Sequence, residues 1–139
     1  MGKKVKVVFD TNVWISIFTK DILGEEFSRA KRAMTVYVSK ETILEISKVL
    51  LHPKIAELLK KTGVSPKEVL RAIEANSTNV NPTAKLDVIG EDPEDNKILE
   101  CALAARAEII VSGDKHLLKL RKLKKTKILA PREFFDSIR

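Results

Sequence analysis

Short apolar runs alternate along this chain with stretches in which apolar residues recur every three or four positions. The short runs predict β-strands, and the longer spacing predicts amphipathic helices. Strands that alternate with helices favour an α/β fold, here a three-layer α/β/α sandwich with a central, mainly parallel sheet. We expect the strands at residues 5–9, 36–38, 86–89, 109–111 and 127–129.

Capping residues mark where several helices begin and end. Ser39 is placed to cap a helix that runs to about Leu51, and Gly63 is placed to end a helix that begins at Pro53. Residues 65–68 combine an N-cap serine, a proline at the first helical position and a capping-box glutamate. The other helices are expected after residue 10, at 24–34, 93–107 and 116–120, and after residue 131, whereas 76–82 is turn-like. Because neither a repeat nor a linker interrupts the chain, we expect one domain over residues 1–139.

Two of the predicted strands are followed by an aspartate. Asp10 comes directly after the strand at 5–9, and Asp114 comes shortly after the strand at 109–111. Ligands of parallel sheets bind outside the carboxyl ends of the strands, so both carboxylates face one crevice if the two strands are neighbours. A single aspartate in such a place would most simply cap the following helix. Two at equivalent positions favour a functional site.

Asp95 is a third carboxylate with an unusual position. In the helix predicted from Pro93 it shares a face with Ile98, Leu99 and Ala102, which is the face expected to be buried. A carboxylate without a partner is costly there, and a metal ion or a basic group would remove that cost. The alternative role is an acidic group of the capping motif at the start of the helix.

A fourth acid is expected from the helix that follows Ser39. This helix contains both Glu41 and Glu45, and periodicity does not choose between them. Both lie opposite the apolar stripe of Ile43, Leu44, Ile46 and Leu50, where a solvated glutamate is the ordinary outcome.

The charge of the chain adds a partner to this picture. Lys and Arg number 26 against 19 Asp and Glu, which gives a formal net charge of +7. Such an excess favours a polyanionic partner, most often a nucleic acid, although a lysine-rich solubilising surface is the alternative. Residues 115–127 hold seven Lys or Arg and no acid, and they begin beside Asp114. We therefore expect this run to contact phosphates, with Lys115, His116 and Lys119 closest to the site.

Composition also excludes several classes of protein. No apolar run exceeds five residues, and the first residues carry no apolar stretch, so we expect neither a membrane span nor a secretory signal. A single cysteine excludes an internal disulfide and a cysteine zinc site, and it makes the cytoplasm the expected location. The absence of a glycine-rich phosphate loop argues against an NTPase. A chain without glutamine, in which Lys and Glu make up 31 residues, suggests a heat-adapted source.

An acidic crevice in a basic chain suggests one kind of chemistry. Carboxylate oxygens are hard ligands that suit Mg²⁺ or Mn²⁺, and these ions keep several waters and bind substrate phosphates. Such an ion activates a water and stabilises the attacking and leaving oxygens at phosphorus. The residues alone therefore favour a metal-dependent phosphodiesterase.

Four short motifs in this order resemble a known family, the PIN-domain ribonucleases. The likeness runs from about Val5 to Phe135 and is greatest to the prokaryotic toxin components of toxin–antitoxin pairs, the VapC-type toxins. No family motif is identified between Lys54 and Lys85. The motifs are Asp10-Thr11-Asn12-Val13, Glu45-Ile46-Ser47-Lys48-Val49-Leu50 before Pro53, Asp92-Pro93-Glu94-Asp95-Asn96, and Val111-Ser112-Gly113-Asp114 with Leu117-Leu118.

The resemblance implies specific roles for the acids. The family's fold agrees with the pattern described above, and its cluster of three or four acids holds Mg²⁺ or Mn²⁺ for RNA hydrolysis. By matching position, Asp10, Glu45, Asp95 and Asp114 are the four acids, so the resemblance selects Glu45 over Glu41. Asp10, Asp95 and Asp114 are then the metal ligands, and Glu45 is a further ligand or a base that orients water. Asn12 and Ser112 match the small polar positions that support the first and last acids.

The resemblance also implies partners and leaves alternatives open. It implies an RNA substrate, a small antitoxin protein and a homodimer, the last also favoured by apolar residues beside Asp10. One alternative is a PIN-like protein that binds RNA without cutting it, and another is a nuclease with no toxin role. A third alternative is a phosphorylatable receiver-like signalling domain, which also places aspartates at strand ends. Such a domain is expected to carry a pair of acids after its first strand, where this chain has Asp10 and Asn12.

Overall fold

A computed structural model describes residues 3–88 and 93–138 of the protein. The strands are β1 (Val5–Phe9), β2 (Met34–Ser39), β3 (Thr78–Val80), β4 (Ile109–Val111), β5 (Lys122–Leu123) and β6 (Thr126–Leu129). The helices are α1 (Thr11–Thr19), α2 (Asp21–Ala30), α3 (Lys40–Leu50), α4 (Pro53–Thr62), α5 (Pro66–Ala75), α6 (Pro93–Ala105), α7 (Lys115–Leu120) and α8 (Pro131–Ser137). A short 3-10 helix, Lys31–Ala33, precedes β2. None of the helices in this described part is long and apolar enough to cross a bilayer.

The sheet has the strand order β3-β2-β1-β4-β6-β5, and all its pairings are parallel except that of β5 with β6. Residues alternate between the faces of β1: Val7 and Phe9 pack in one core cluster and Val8 in the other. The first cluster takes its helical residues from α1 to α5 and α8, and the second takes them from α6 and α7. Helices therefore cover both faces, which confirms the predicted three-layer fold.

The helix boundaries that the capping residues predicted are confirmed. Ser39 accepts a hydrogen bond from the backbone N–H of Thr42 at the start of α3. Ser65 and Glu68 form the capping box of α5. Gly63 ends α4 with a φ of 75°, a left-handed conformation that glycine adopts without steric cost.

The strand predicted at 86–89 is wrong for the residues that the structure describes, since 86–88 form no strand, and Ile89 lies outside the described residues. Side chains of α6 bind this backbone instead: Leu86 N–H donates to Glu100 Oε2, and Val88 N–H donates to Asn96 Oδ1, each at 2.9 Å. The third strand is β3, which lies in the segment expected to be a turn and pairs with β2 at the edge of the sheet.

Two other boundaries differ from expectation. The helix predicted to reach residue 34 ends at Ala30. Met34 instead begins β2, since it pairs with Val5, the first residue of β1. The basic run contains a strand that the pattern did not predict, β5, which forms an antiparallel hairpin with β6.

The single cysteine is a core residue, as its apolar neighbours in the sequence predict. Cys101 is fully buried on α6. Burial raises the pKa of its thiol to about 12, and the nearby carboxylate of Glu41 adds to the effect, while hydrogen bonding with Ser39 and Thr42 opposes it. Because the thiolate is the nucleophilic and metal-binding form, a thiol with this pKa carries no chemistry at neutral pH.

Candidate active site

The central strands bring Asp10 and Asp114 to the same edge of the sheet. β1 and β4 are neighbours with Phe9 opposite Val111, and the N–H of Asp10 donates to the Val111 carbonyl at 2.9 Å. Ser112 joins the two acids, because its hydroxyl donates to Asp10 Oδ2 at 2.7 Å and accepts the Asp114 N–H at 2.9 Å. This fully buried serine therefore fixes one carboxylate relative to the backbone that carries the other.

Each aspartate also caps the helix that follows it, which is the alternative role considered for both. Asp10 Oδ1 accepts the Thr11 N–H at 2.7 Å at the start of α1. Asp114 Oδ1 accepts the N–H groups of His116 and Leu117 at 2.8 and 3.2 Å at the start of α7. The cap uses only one oxygen of each carboxylate and fixes its orientation, so capping and a role in a site are compatible.

One cavity of about 160 Å³ contains all four of the predicted acids. Asp10 follows β1, Glu45 lies on α3, Asp95 lies on α6 and Asp114 caps α7. Glu45 of α3 lines the cavity, and Glu41 does not. The lining residues are Asp10, Thr11, Asn12, Thr42, Glu45, Val49, Glu94, Asp95, Lys97, Ile98 and Asp114.

Negative charge is concentrated in this cavity. Among the described residues that line it, five carry carboxylates and one, Lys97, carries an ammonium group. Asp10 and Asp95 are 8% and 5% exposed, and Lys97 lies 3.8 Å from a different carboxylate, that of Glu100. Like charges in a small, partly buried space repel one another, so the cavity favours a bound cation.

The chemistry of the donors fits a hard divalent ion. The titratable groups that line the cavity offer carboxylate oxygens and neither thiolate nor imidazole, which suits Mg²⁺ or Mn²⁺ better than Zn²⁺. Within residues 3–88 and 93–138, no group of three or more His, Cys, Asp or Glu is arranged to hold a metal ion directly. Mg²⁺ keeps several of its waters and needs only one or two direct carboxylates, so this wider arrangement suits a hydrated ion.

The residues predicted to bind substrate lie on α7. Lys115 and Lys119 are exposed and His116 is half-buried, and none of the three lines the cavity. Lys115 and His116 follow Asp114 in the first turn of the helix, which keeps them close to the carboxyl edge of the sheet. Asn12, predicted to support the first acid, is exposed at the cavity, whereas Ser112 contacts both strand-end acids.

Sequence reasoning did not identify Asn96 and Glu100, which lie four residues apart on α6. Both side chains are only 5% exposed, and they hold the backbone at Leu86 and Val88 against the helix that carries Asp95. Asn96 and Glu100 each follow a residue of the predicted buried face by one position, about 100° around the helix, so the periodicity gave no signal for them.

A larger, open depression of about 740 Å³ lies along α1 and α2. Its charged lining is mixed, with Asp21 and Glu25 against Lys20, Arg29 and Lys31. It therefore lacks the concentrated charge of the cavity at the strand ends, and we assign no chemistry to it.

The two glutamates of α3 allow a matched test of the site. We expect Glu45→Gln to lower the catalytic rate of this site by about 10- to 100-fold, because the substitution removes a charge from the cavity while keeping the volume of the side chain. Glu41→Gln makes the same chemical change one helical turn away, outside the cavity, and should leave the rate within about twofold of the wild type. Initial rates of the two folded variants test whether Glu45 contributes to the site, and equal rates would show that it does not.

Comparisons with known proteins agree with this architecture. Residues 6–116 match the family model described as PIN domain. An uncharacterized protein of Methanocaldococcus jannaschii, MJ1680, is 31% identical over 150 aligned positions, which cover 96% of this chain and 91% of that protein. A solved structure, VapBC2 from Rickettsia felis bound to a DNA fragment from their promoter, superposes with a TM-score of 0.62 at 14% identity, over 91% of this chain and 98% of that one. At that identity the structural match shows a shared fold.

Proposed function

Because the chain belongs to the PIN-domain family, whose members are generally nucleases that use divalent metal ions, we propose that it is a Mg²⁺- or Mn²⁺-dependent ribonuclease. One observation carries the proposal: acids from four separate elements line a single cavity at the carboxyl edge of the sheet. We further propose that residues 1–139 form one nuclease domain that acts in the cytoplasm.

In the proposed mechanism, Asp10, Asp95 and Asp114 would hold the divalent ion, in part through the waters that it keeps. The ion would supply Lewis-acid chemistry, lowering the pKa of a water and stabilising negative charge at phosphorus. The carboxylate of Glu45 orients the water and accepts its proton. The water oxygen bonds to phosphorus as the bond to the 3′ oxygen breaks, and the 3′ oxygen takes a proton from a solvent water, which leaves a 5′-phosphate and a 3′-hydroxyl. Ser112 keeps Asp10 Oδ2 in place through its 2.7 Å hydrogen bond.

RNA would reach the cavity across α7. Lys115, His116 and Lys119 are proposed to contact the phosphates that flank the scissile bond, since Lys115 and His116 follow the acid at the start of this helix. Contacts of this kind add affinity that is independent of base sequence and that weakens as salt rises.

We also propose a small antitoxin protein as a partner and a homodimer as the assembly. The resemblance to VapC-type toxins supports both, and the structural neighbour is described as a VapBC2 assembly.

A chelator tests the proposed activity. We expect the purified protein to cleave a labelled RNA, EDTA to stop the reaction, and added Mg²⁺ or Mn²⁺ to restore it. Products should carry 5′-phosphate and 3′-hydroxyl ends, which ligation and phosphatase treatment detect. An Asp10→Asn preparation purified in parallel reports any contaminating ribonuclease. Cleavage that persists in EDTA and exceeds this background would reject the metal mechanism.

A second candidate function is RNA binding without cleavage. The same assay separates the two, because this candidate retains RNA in every metal condition and releases no product.

A further inference from the structure

The structure divides the basic run of residues 115–127 between the two ends of the sheet. Its first part forms α7, which begins at the carboxyl edge beside Asp114. Its second part forms the β5–β6 hairpin, whose turn, Lys124–Lys125, precedes the first residue of β6. Since β6 runs parallel to β4, this turn lies at the amino end of the strands, opposite the acidic cavity. A single phosphate track from Lys115 to Lys127 is therefore not what the fold forms.

Other cations lie at the same amino end. Because four neighbouring strands run parallel, the segments that lead into β2, β1, β4 and β6 share one edge of the sheet. Each of these segments carries exposed basic residues, which together we call the basic edge. They are Lys3, Lys4, Lys31, Arg32, Arg106, Lys124 and Lys125.

These charges are available to a partner. Within residues 3–88 and 93–138, no acid lies within salt-bridge distance of any member of the basic edge. The acid in the same segments is Glu108, and one of its oxygens accepts the backbone N–H of Lys6 at 3.4 Å. Several like charges held along one edge raise the local positive potential and attract a polyanion.

The spacing of the basic edge suits an extended polyanion. Four adjacent strands at about 4.8 Å separation give the edge a width of about 14 Å, wide enough to meet several phosphates of one strand. The five-residue β1 separates this edge from the cavity by about 16 Å at 3.3 Å per residue. The two surfaces are therefore distinct, and because helices cover both faces of the sheet, an RNA that reaches both has to pass around the outside of the protein.

Two members of the basic edge have a backbone conformation that favours glycine. Arg106 and Lys124 have φ values of 53°, a region that disfavours residues with a Cβ. Glycine would adopt this conformation at lower cost, by about 1 kcal/mol. The charge at these two positions can therefore be removed without a loss of backbone stability.

We propose that the basic edge binds the sugar–phosphate backbone of the RNA substrate several nucleotides away from the scissile bond at the acidic cavity. This inference rests on the proposed ribonuclease function and adds a second, sequence-independent contact to it. The basic edge would hold the strand electrostatically, while the acids at the opposite edge act on one phosphodiester.

Glycine substitutions test the basic edge without damage to the fold. Arg106→Gly/Lys124→Gly removes two charges and relieves two strained backbones, so the protein should unfold at the same or a higher temperature. RNA binding is measured by fluorescence anisotropy in EDTA, on a single-stranded RNA of about 16 nucleotides. We expect affinity to fall about tenfold at low salt, and the slope of log K against log salt to shrink by about 1.4, as two lost phosphate contacts require.

Two further variants control for net charge and for backbone. Lys60→Ala/Lys61→Ala, in the exposed last turn of α4, lowers the net charge of +7 by the same two units and should leave the slope unchanged. Arg106→Lys/Lys124→Arg keeps both charges and should bind like the wild type. Equal losses for the glycine and α4 variants would overturn the proposal, since net charge alone would then explain the effect.

RNA length and the type of nucleic acid complete the test. An RNA of about 4 nucleotides is still long enough to cross the basic edge, which is about 14 Å wide, so the glycine variant should weaken its binding as well. A loss confined to duplex DNA, or to vesicles of anionic lipid, would overturn the proposal in favour of that partner. Binding is measured without turnover, so absence of cleavage would reject the proposed function and leave the basic edge to be judged by these affinities.

Discussion

Asp10→Asn is expected to abolish the proposed RNA cleavage while leaving the protein folded. The amide keeps the shape of the side chain, and its oxygen can still accept the Thr11 N–H that caps α1. Its NH₂ group faces the Ser112 hydroxyl in place of Oδ2, and this hydroxyl can rotate to accept. The change therefore removes mainly the negative charge that would hold the metal ion. We expect the rate to fall by more than about 100-fold, because groups that only support metal ligands already contribute about 10- to 100-fold.

The control for this variant is Asp21→Asn. Asp21 is exposed in the first turn of α2 and does not line the cavity, so the same chemical change there should leave activity within about twofold of the wild type. Initial rates with saturating Mg²⁺ or Mn²⁺, together with circular dichroism and a thermal scan, give the comparison. Full activity in a well-folded Asp10→Asn protein would overturn the assignment of the site.

The sequence was sufficient to predict that the acids at two strand ends and at one helix start lie close together. Asp10 and Asp114 follow short apolar runs, and a parallel sheet brings such positions together whatever the details of packing. Asp95 could be identified from the face of a helix. Glu45 could not, because the position of α3 against the cavity depends on tertiary packing; periodicity even placed Leu44, which is 53% exposed, in the apolar stripe.

The failed strand prediction has a physical reason. Residues 86–88 have the composition of a strand, but α6 presents Asn96 and Glu100, whose side chains take up the backbone N–H groups that a neighbouring strand would bind. β3 forms in a polar segment because an edge strand has to satisfy only one neighbour and can expose its side chains. Competition of this kind depends on residues distant in sequence, so a local pattern does not reveal it.

The location of the excess positive charge also depends on the fold. Its excess of +7 predicted a polyanionic partner, and the dense run at 115–127 suggested where the partner lies. Only the direction of β6 shows that half of this run belongs to the end of the sheet opposite the acids. The fold thus gathers carboxylates at the carboxyl edge and cations at the amino edge, a separation that composition cannot show.

Phe9, the residue before Asp10, lies at the centre of an aromatic cluster. It is 1% exposed, and its neighbours come from three helices on one face of the sheet. Its ring centroid lies 5.0, 6.0, 6.2 and 6.4 Å from those of Trp14, Phe27, Phe134 and Phe135. The strand end that carries Asp10 is therefore fixed by packing directly beneath the cavity.

We expect Phe9→Ala to lower the free energy of unfolding by about 3–5 kcal/mol, because it removes a fully buried ring and leaves a cavity that its rigid neighbours cannot fill. Phe18→Ala is the control: Phe18 is half-buried, contacts the cluster only from its margin, and should cost about 1 kcal/mol. Urea denaturation followed by tryptophan fluorescence measures both, since Trp14 lies against the deleted ring. A loss below about 1 kcal/mol for Phe9→Ala would show that the strand end is held by backbone pairing, through the 2.9 Å bond from Asp10 to Val111, rather than by the aromatic cluster.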